Sequence, residues 1–138
     1  MDNASFTMIC KNDSQIILEI IKKIIDSNLE IEQLFINSLG SNVSVSGNVK
    51  VFNNISNPLT EITRGHQIIR ESFAEDNNFK NTKMTYLKES YPKLINYIKD
   101  LLVNEILISK LELKSRNNNC SLLLEVKHKD NLNLTLKS

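Results

Sequence analysis

The last third of the chain alternates apolar and polar residues with a period of two, which is typical of strands in a sheet with one buried face. The clearest segment contains Leu122, Leu124 and Val126 at every second position. Asparagine-containing turns at residues 117–119 and 129–131 divide this region into three parts. We therefore predict a C-terminal three-stranded antiparallel meander, with strands at Leu107–Ser115, Leu122–Lys127 and Leu132–Leu136.

The alternation also predicts which side chains of the meander face outward. We assign Leu107, Leu111 and Leu113 to the buried face of the first strand, so the residues between them face the solvent. This parity leaves some apolar side chains on a lysine-rich outward face, where they would contact a partner or a second copy of the chain. The predicted interface residues are Ile106, Ile108, Leu123 and Lys127.

Composition restricts the class of protein. A length of 138 residues predicts one domain over residues 1–138, and a formal net charge of +1 gives no general attraction to nucleic acid or anionic membranes. Apolar runs never exceed three residues, so neither a signal peptide nor a membrane-spanning helix is expected. Because Cys10 and Cys120 are too few to stabilise a secreted fold, we expect a cytoplasmic protein with reduced thiols.

Upstream of the meander, apolar residues recur with helical spacing in four segments. Asp13 or Ser14 can cap the first, and Gly40 follows the second as a C-cap. Pro92 interrupts the fourth, which either kinks there or restarts as a new helix capped by Ser90. The predicted helices are Gln15–Ser27, Glu30–Leu39, Pro58–Glu75 and Met84–Leu101, and a short strand is predicted at Phe6–Cys10.

Residues 43–52 have the composition of β-structure, with four valines at odd positions from 43 to 51. Two arrangements keep these valines on one face: a single unbroken strand, or a hairpin with a three-residue loop at Ser46-Gly47-Asn48. Gly-Asn is strong turn chemistry, which favours the hairpin.

Together these segments predict an α+β fold, in which about four helices pack on one face of an antiparallel sheet of three to five strands. The helix before the meander is the expected cover for its apolar face, because an isolated small meander is marginally stable in water. No internal repeat is visible in the sequence.

The sequence contains no recognisable catalytic or cofactor-binding motif. Its three glycines form no phosphate-binding loop, and its two histidines and two cysteines lack the spacing of a metal site, so no metal or cofactor is expected. His66 lies on the apolar side of its predicted helix, and a histidine there is more often a structural residue than a general base. The residues predicted for a small-ligand site are His66, Arg70 and Tyr97.

These observations favour a non-catalytic protein that binds another protein or a second copy of itself, as a subunit, an adaptor or a chaperone-like dimer. The first alternative is a small-ligand pocket or an unrecognised enzyme centred on His66. The second is nucleic-acid binding through the lysine-rich sheet face. It is disfavoured because RNA-binding sheets usually present aromatic side chains, and none lies among the predicted meander strands.

Overall fold

The computed structural model describes residues 2–51, 79, 81–116 and 119–129, which form six strands and two helices. All described strand pairs are antiparallel, and the strands form one sheet in the order β1-β3-β2-β5-β6-β4. The elements are β1 (Asp2–Lys11), α1 (Ser14–Asp26), β2 (Leu29–Leu39), β3 (Asn42–Val51), β4 (Asn81–Glu89), α2 (Tyr91–Leu102), β5 (Ile106–Arg116) and β6 (Asn119–His128).

The described elements form two copies of one β-α-β-β module. Module 1 covers residues 2–51 and module 2 covers residues 81–128, and each has the strand order first-third-second. From the helix onward, each position in module 2 lies 77 residues after its counterpart, as Leu29 and Ile106 or Asn42 and Asn119 illustrate. The absence of a visible repeat in the sequence therefore did not mean the absence of one in the fold.

The two modules meet where β2 pairs with β5, at the centre of the sheet. Phe35 pairs with Glu112, and these two residues occupy the same position in their respective modules. A pseudo-twofold axis therefore passes between them. It relates β1 to β4, the two outermost strands of the described sheet.

Both modules carry a β-bulge at the same position of their second strand. The register shifts between Ile31 and Gln33 in β2, and between Ile108 and Lys110 in β5. Each bulge puts one extra residue into the strand, so the apolar residues on either side of it still face the same way.

Two polar contacts cross between the modules just beyond the β2–β5 pairing. The Asn12 side chain donates a hydrogen bond from Nδ2 to the Ile108 carbonyl and accepts one from the Ile108 N–H, each at 3.0 Å. In the pseudo-symmetric position, the Ile31 N–H donates to the Tyr91 hydroxyl at 3.1 Å. We call this pair the reciprocal clasps. They provide partners for backbone groups of the bulged strands that the strand pairing itself leaves unmatched.

The start of α1 confirms one of the two predicted caps. The Asp13 carboxylate accepts hydrogen bonds from the Gln15 and Ile16 N–H groups at 2.8 and 3.4 Å. Six residues of α1 are buried, which offsets the low helix propensity of its many isoleucines. α2 begins afresh at Tyr91 with Pro92 in its first turn, so the restart of the helix is confirmed and the kink is not. Ser90 occupies the N-cap position, but its side chain makes no capping hydrogen bond.

One face of the sheet, the inner face, forms the core together with both helices. α1 contacts β2 and β5, whereas α2 contacts β6 and β4 and provides the predicted cover for part of the meander. The other side, the outer face, is not covered by any described residue. The strand residues buried on the inner face include Phe6, Met8, Val43, Val45, Leu34, Ile36, Ile108, Leu111, Leu113, Leu122, Leu124 and Val126.

The predicted fold class was wrong in its counts. In the described part of the chain, the sheet has six strands rather than three to five, and there are two helices rather than four. The predicted helix Glu30–Leu39 is strand β2, and the residues before Ser90 in the predicted fourth helix form β4. The bulge explains the first error, because it separates Ile31 and Leu34 by three positions and so imitates helical spacing.

The hairpin predicted at Ser46-Gly47-Asn48 was also wrong, because β3 is one unbroken strand between β1 and β2. Gly47 has a packing function there. A Cβ atom at this position would lie 2.5 Å from the Phe6 ring, so the glycine leaves space for the aromatic side chain of β1. In module 2 the equivalent of Gly47 is Leu124, which pairs with the smaller Thr85 of β4.

Two predicted elements fall outside the described residues. These are the helix Pro58–Glu75 and the third strand of the meander, Leu132–Leu136. The first two meander strands are confirmed as β5 and β6, including the inward direction of Leu122, Leu124 and Val126. The buried position predicted for Leu107 was wrong, because Leu107 pairs with the exposed Lys127 and its neighbours Ile106 and Ile108 are the buried residues.

Candidate interaction surface

Module 2 exposes two large apolar side chains on the outer face of its outermost strand. Met84 is 67% exposed and Tyr86 is 58% exposed, although both lie in the middle of β4. Tyr86 pairs with the half-buried Leu123 of β6, which points the same way. We call Met84, Tyr86 and Leu123 the Tyr86 patch. Their exposure follows from the pattern of β4, which directs the largely polar residues Lys83, Thr85, Leu87 and Glu89 toward the inner face.

The surroundings of the Tyr86 patch are charged, with more lysines than carboxylates. Lys88 and Lys127 are exposed at the two ends of the patch, and the half-buried Glu125 pairs with Met84. Toward the centre of the sheet, the Lys110 ammonium lies 3.5 Å from a Glu112 carboxylate oxygen. This ion pair between two half-buried residues lies at the surface and contributes little stability, and its charges remain accessible to a partner.

Of the four predicted interface residues, two lie on this surface. Leu123 and Lys127 face outward on β6, as expected. Ile106 and Ile108 are only 2% and 0% exposed and belong to the core, so their predicted outward direction was wrong. The bulge after Ile108 reverses the parity of β5, which places these isoleucines on the same face as Leu111 and Leu113.

The main residues of the surface were missed from the sequence. Met84 and Tyr86 were assigned to a helix, although they alternate with Lys83 and Thr85 at the spacing of a strand. Phe35 was also missed, because the segment Glu30–Leu39 was assigned to a helix. It also lies on the outer face, with the Lys114 ammonium 5.8 Å from the centre of its ring.

The three residues predicted for a ligand site are not brought together by the described residues. His66 and Arg70 lie outside them. Tyr97 is buried at 6% exposure on α2, and its hydroxyl forms a hydrogen bond with the Thr85 side chain. Burial raises the pKa of the Tyr97 phenol, and the bond to Thr85 partly opposes this.

A cleft of about 540 Å³ opens elsewhere, at the corner between β4, β6 and the start of α2. The β4–α2 connection at this corner is the single residue Ser90, whereas the equivalent β1–α1 connection has two residues, Asn12 and Asp13. The cleft contains charged, hydroxyl and thiol groups, but Tyr97 is not among its lining residues. They are Lys88, Glu89, Ser90, Asn119, Cys120 and Ser121.

Both cysteines are buried free thiols with raised pKa values. Burial, reinforced by the nearby Asp13 carboxylate, raises the pKa of Cys10 to about 11. Burial also raises the pKa of Cys120, opposed by hydrogen bonds with Ser115 and Ser121. Because the thiolate is the reactive form, neither residue is an effective nucleophile at neutral pH.

This protonation state predicts slow thiol chemistry in the folded protein. With Ellman's reagent at pH 7.5, we expect both cysteines to react at least about tenfold more slowly than after unfolding in guanidinium chloride. Time-resolved absorbance with peptide mapping would measure each rate. Full reaction of Cys120 within seconds in the native protein would show that the cleft contains an activated thiol.

The described residues contain no group of three or more His, Cys, Asp and Glu side chains that could hold a metal ion. No helix among the described residues is both long and apolar enough to cross a membrane.

Comparison with known proteins gives little further information. No family model and no curated protein matches the sequence. One solved structure is similar, a crystal structure described as a "putative glycine cleavage system transcriptional repressor". It has 14% sequence identity and a TM-score of 0.40, over 96% of this chain and 83% of that chain. A likeness this distant assigns neither a fold nor a function to the present chain.

Proposed function

We propose that this chain is a non-catalytic interaction protein that binds another protein through the Tyr86 patch. The observation that carries the proposal is the exposure of Met84 and Tyr86, at 67% and 58%, in the middle of a regular strand. Neighbouring apolar side chains exposed on one surface cost free energy in water, and their burial by a partner recovers it. Tyrosine is also among the residues that most often dominate binding energy at interfaces.

The charges around the patch define the chemistry of the partner. Lys88 and Lys127 flank the apolar side chains, so a partner that combines apolar side chains with acidic ones fits this surface. The apolar part would cover Met84 and Tyr86 and the carboxylates would pair with the two lysines. Such rim charges would mainly increase the association rate and its dependence on salt.

A nucleic acid is the competing occupant, and the structure adds one feature in its favour. Phe35 and Tyr86 place aromatic rings on the same face as several lysines, whereas no aromatic residue lies among the meander strands predicted from the sequence. However, Glu112 and Leu123 lie between the two rings along the same row of the sheet. A carboxylate in the path of a polyanion disfavours binding, so we propose a protein partner.

The test compares the wild-type protein with Met84→Ser/Tyr86→Ser and with a control variant, Ser5→Ala, that changes the outer face of β1. Proteins retained by tagged wild type from the native host would be identified by mass spectrometry, purified and titrated against each variant. We expect one partner that the patch variant binds at least about tenfold more weakly and the control binds normally.

The proposal fails if no retained protein depends on the patch. It also fails if labelled single-stranded RNA binds the wild type at low salt and loses affinity in the patch variant. In that case the same surface would be a nucleic-acid site, with the steep salt dependence typical of phosphate contacts.

A further inference from the structure

The two outermost strands of the described sheet, β1 and β4, are equivalent under the pseudo-twofold axis but differ in their chemistry. No described residue pairs with the outer edge of either strand. An exposed edge is a template for another strand, and proteins usually protect it with charges, proline or a bulge. Comparing the two edges within one chain therefore shows which of them is protected.

The hairpin between β2 and β3 determines which backbone groups face the free edges. Leu39 and Asn42 close a two-residue turn and so form a hydrogen-bonded pair, and hydrogen-bonded pairs then alternate across the sheet. The even-numbered residues of β3 bond to β2, so its odd-numbered residues bond to the even-numbered residues of β1. The odd-numbered residues of β1 therefore face the edge. The edge of β1 that no described strand covers thus presents the N–H and C=O groups of Asn3, Ser5, Thr7 and Ile9.

Among the described residues, the edge of β4 carries protecting charges and the edge of β1 carries none. β4 directs Lys83 toward the inner face and carries Lys88 and Glu89 near its end, and an inward charge on an edge strand opposes the addition of a further strand. β1 has no charged residue and no proline between Asn3 and Cys10. Its register with β3 is continuous over all ten residues, without a bulge.

We propose that β1 is a self-association strand, which pairs antiparallel with β1 of a second copy of this chain. The chain itself provides the precedent, because its two modules are already joined by antiparallel pairing of the equivalent strands β2 and β5. Pairing of β1 with β1 about a twofold axis forms a closed dimer with one continuous sheet, whereas β1–β4 pairing would form open chains.

The sequence of β1 is complementary to itself in this arrangement. With the axis at Thr7, the inward Phe6 lies opposite Met8 of the second copy, and Ala4 lies opposite Cys10. On the outer face, Ser5 lies opposite Ile9. Apolar side chains thus meet on the face that is buried in each monomer, and no like charges are opposed along the strand.

A proline substitution at an outward-facing N–H tests pairing at the sheet edge while the monomer still folds. The Thr7 N–H faces outward, so Thr7→Pro removes a donor needed by the second copy without removing a backbone hydrogen bond to β3. It also removes the exposed hydrogen bond between the Thr7 and Ser46 hydroxyl groups, which are 3.2 Å apart, and this costs little stability. Thr82→Pro makes the same kind of change at the edge of β4, outside the Tyr86 patch, and is the matched control. Size-exclusion chromatography with light scattering would measure mass, and circular dichroism would confirm folding.

We expect the wild type and Thr82→Pro to have twice the 15.8 kDa mass of one chain and Thr7→Pro to have the mass of a monomer. A monomeric wild type would overturn the proposal, as would a dimer that persists in folded Thr7→Pro. If Thr7→Pro does not fold, Thr7→Cys decides the question. Oxidation should link Thr7→Cys chains into covalent dimers, and failure to do so at micromolar concentration would contradict pairing about Thr7.

This inference does not depend on the Tyr86 patch. Loss of the dimer in Thr7→Pro together with normal partner binding would support β1 pairing alone. Loss of partner binding in Met84→Ser/Tyr86→Ser without a change of mass would support the proposed function alone.

Discussion

Replacement of Leu124 by aspartate is expected to prevent folding altogether. Leu124 is fully buried on β6, between Leu111 of β5 and Thr85 of β4. The substitution removes an apolar side chain worth about 2–3 kcal/mol and places an unpaired carboxylate in the core, which costs several kcal/mol more. The total approaches or exceeds the stability of a typical domain of this size, about 5–15 kcal/mol. Far-UV circular dichroism and a urea titration would measure the loss.

Leu123→Asp is the matched control, because it makes the same change one residue away on the opposite face. Leu123 is half-buried beside Tyr86, so this variant should fold with a loss of about 1 kcal/mol. Lys127→Ala, on the same outward face, should be nearly silent, within about 0.5 kcal/mol. Similar behaviour of Leu124→Asp and Leu123→Asp would contradict the face assignment of β6.

Loss of a reciprocal clasp should produce the second large effect. Asn12→Ala leaves the buried N–H and C=O groups of Ile108 without their side-chain partner, at the point where the bulge interrupts regular pairing. Each unsatisfied buried group costs about 1–3 kcal/mol, so we expect a loss of about 2–4 kcal/mol in the free energy of unfolding. Chemical denaturation of wild type and variant under identical conditions would give this difference.

Tyr91→Phe removes the second of the reciprocal clasps, in which module 2 provides the side chain. It should lower the free energy of unfolding less than Asn12→Ala does. Only the Ile31 N–H loses a partner, and the ring of Tyr91 remains in place, so about 1 kcal/mol is expected. An Asn12→Ala variant no less stable than Tyr91→Phe would indicate that water replaces the amide. The clasps would then not hold the two modules together.

Sequence reasoning was successful where the pattern of a single element matches its environment. The isoleucines of α1 and the Asp13 cap predicted its location to within a residue at each end. The alternation at Leu122, Leu124 and Val126 predicted the buried face of β6, because no bulge interrupts that strand. These are local patterns of period 3.6 or 2 that need no knowledge of the neighbouring elements.

The β-bulges account for two errors at equivalent places. In β2 the bulge changed strand alternation into an apparent helical spacing, and in β5 it reversed the parity that was used to place Ile106 and Ile108. A bulge has no reliable sequence signature, because the extra residue can be of any type; here it is Glu32 in one module and Ser109 in the other.

The Tyr86 patch was hidden by the reversed pattern of β4. In this strand the exposed face carries Met84 and Tyr86, and the inward face carries Lys83 and Thr85. Apolar and polar residues do alternate in β4. However, the apolar residues face outward and the polar ones inward, which is the reverse of a strand whose apolar side is covered. Only the position of β4 at the edge of the described sheet explains it, and that position is a property of the whole topology.

The internal repeat was not visible in the sequence because equivalent core positions carry side chains of different size. Where one module has a large residue paired with a small one, the other module has the small residue first and the large one second. Phe6 and Gly47 in module 1 fill the space that Thr85 and Leu124 fill in module 2. Such pairs preserve packing without preserving residue type, and a comparison of single residues does not detect them.

The pairing of β2 with β5 joins the two modules into one sheet and so determines which side chains face inward. One cross-link tests this pairing directly. Phe35 and Glu112 form a non-hydrogen-bonded antiparallel pair at the pseudo-twofold axis, where Cα atoms lie about 4.5 Å apart, within the range of a disulfide. Oxidation of Phe35→Cys/Glu112→Cys, followed by non-reducing peptide mapping, should show one intramolecular disulfide between these positions in nearly all molecules. Persistence of both thiols in the folded protein would contradict the shared sheet.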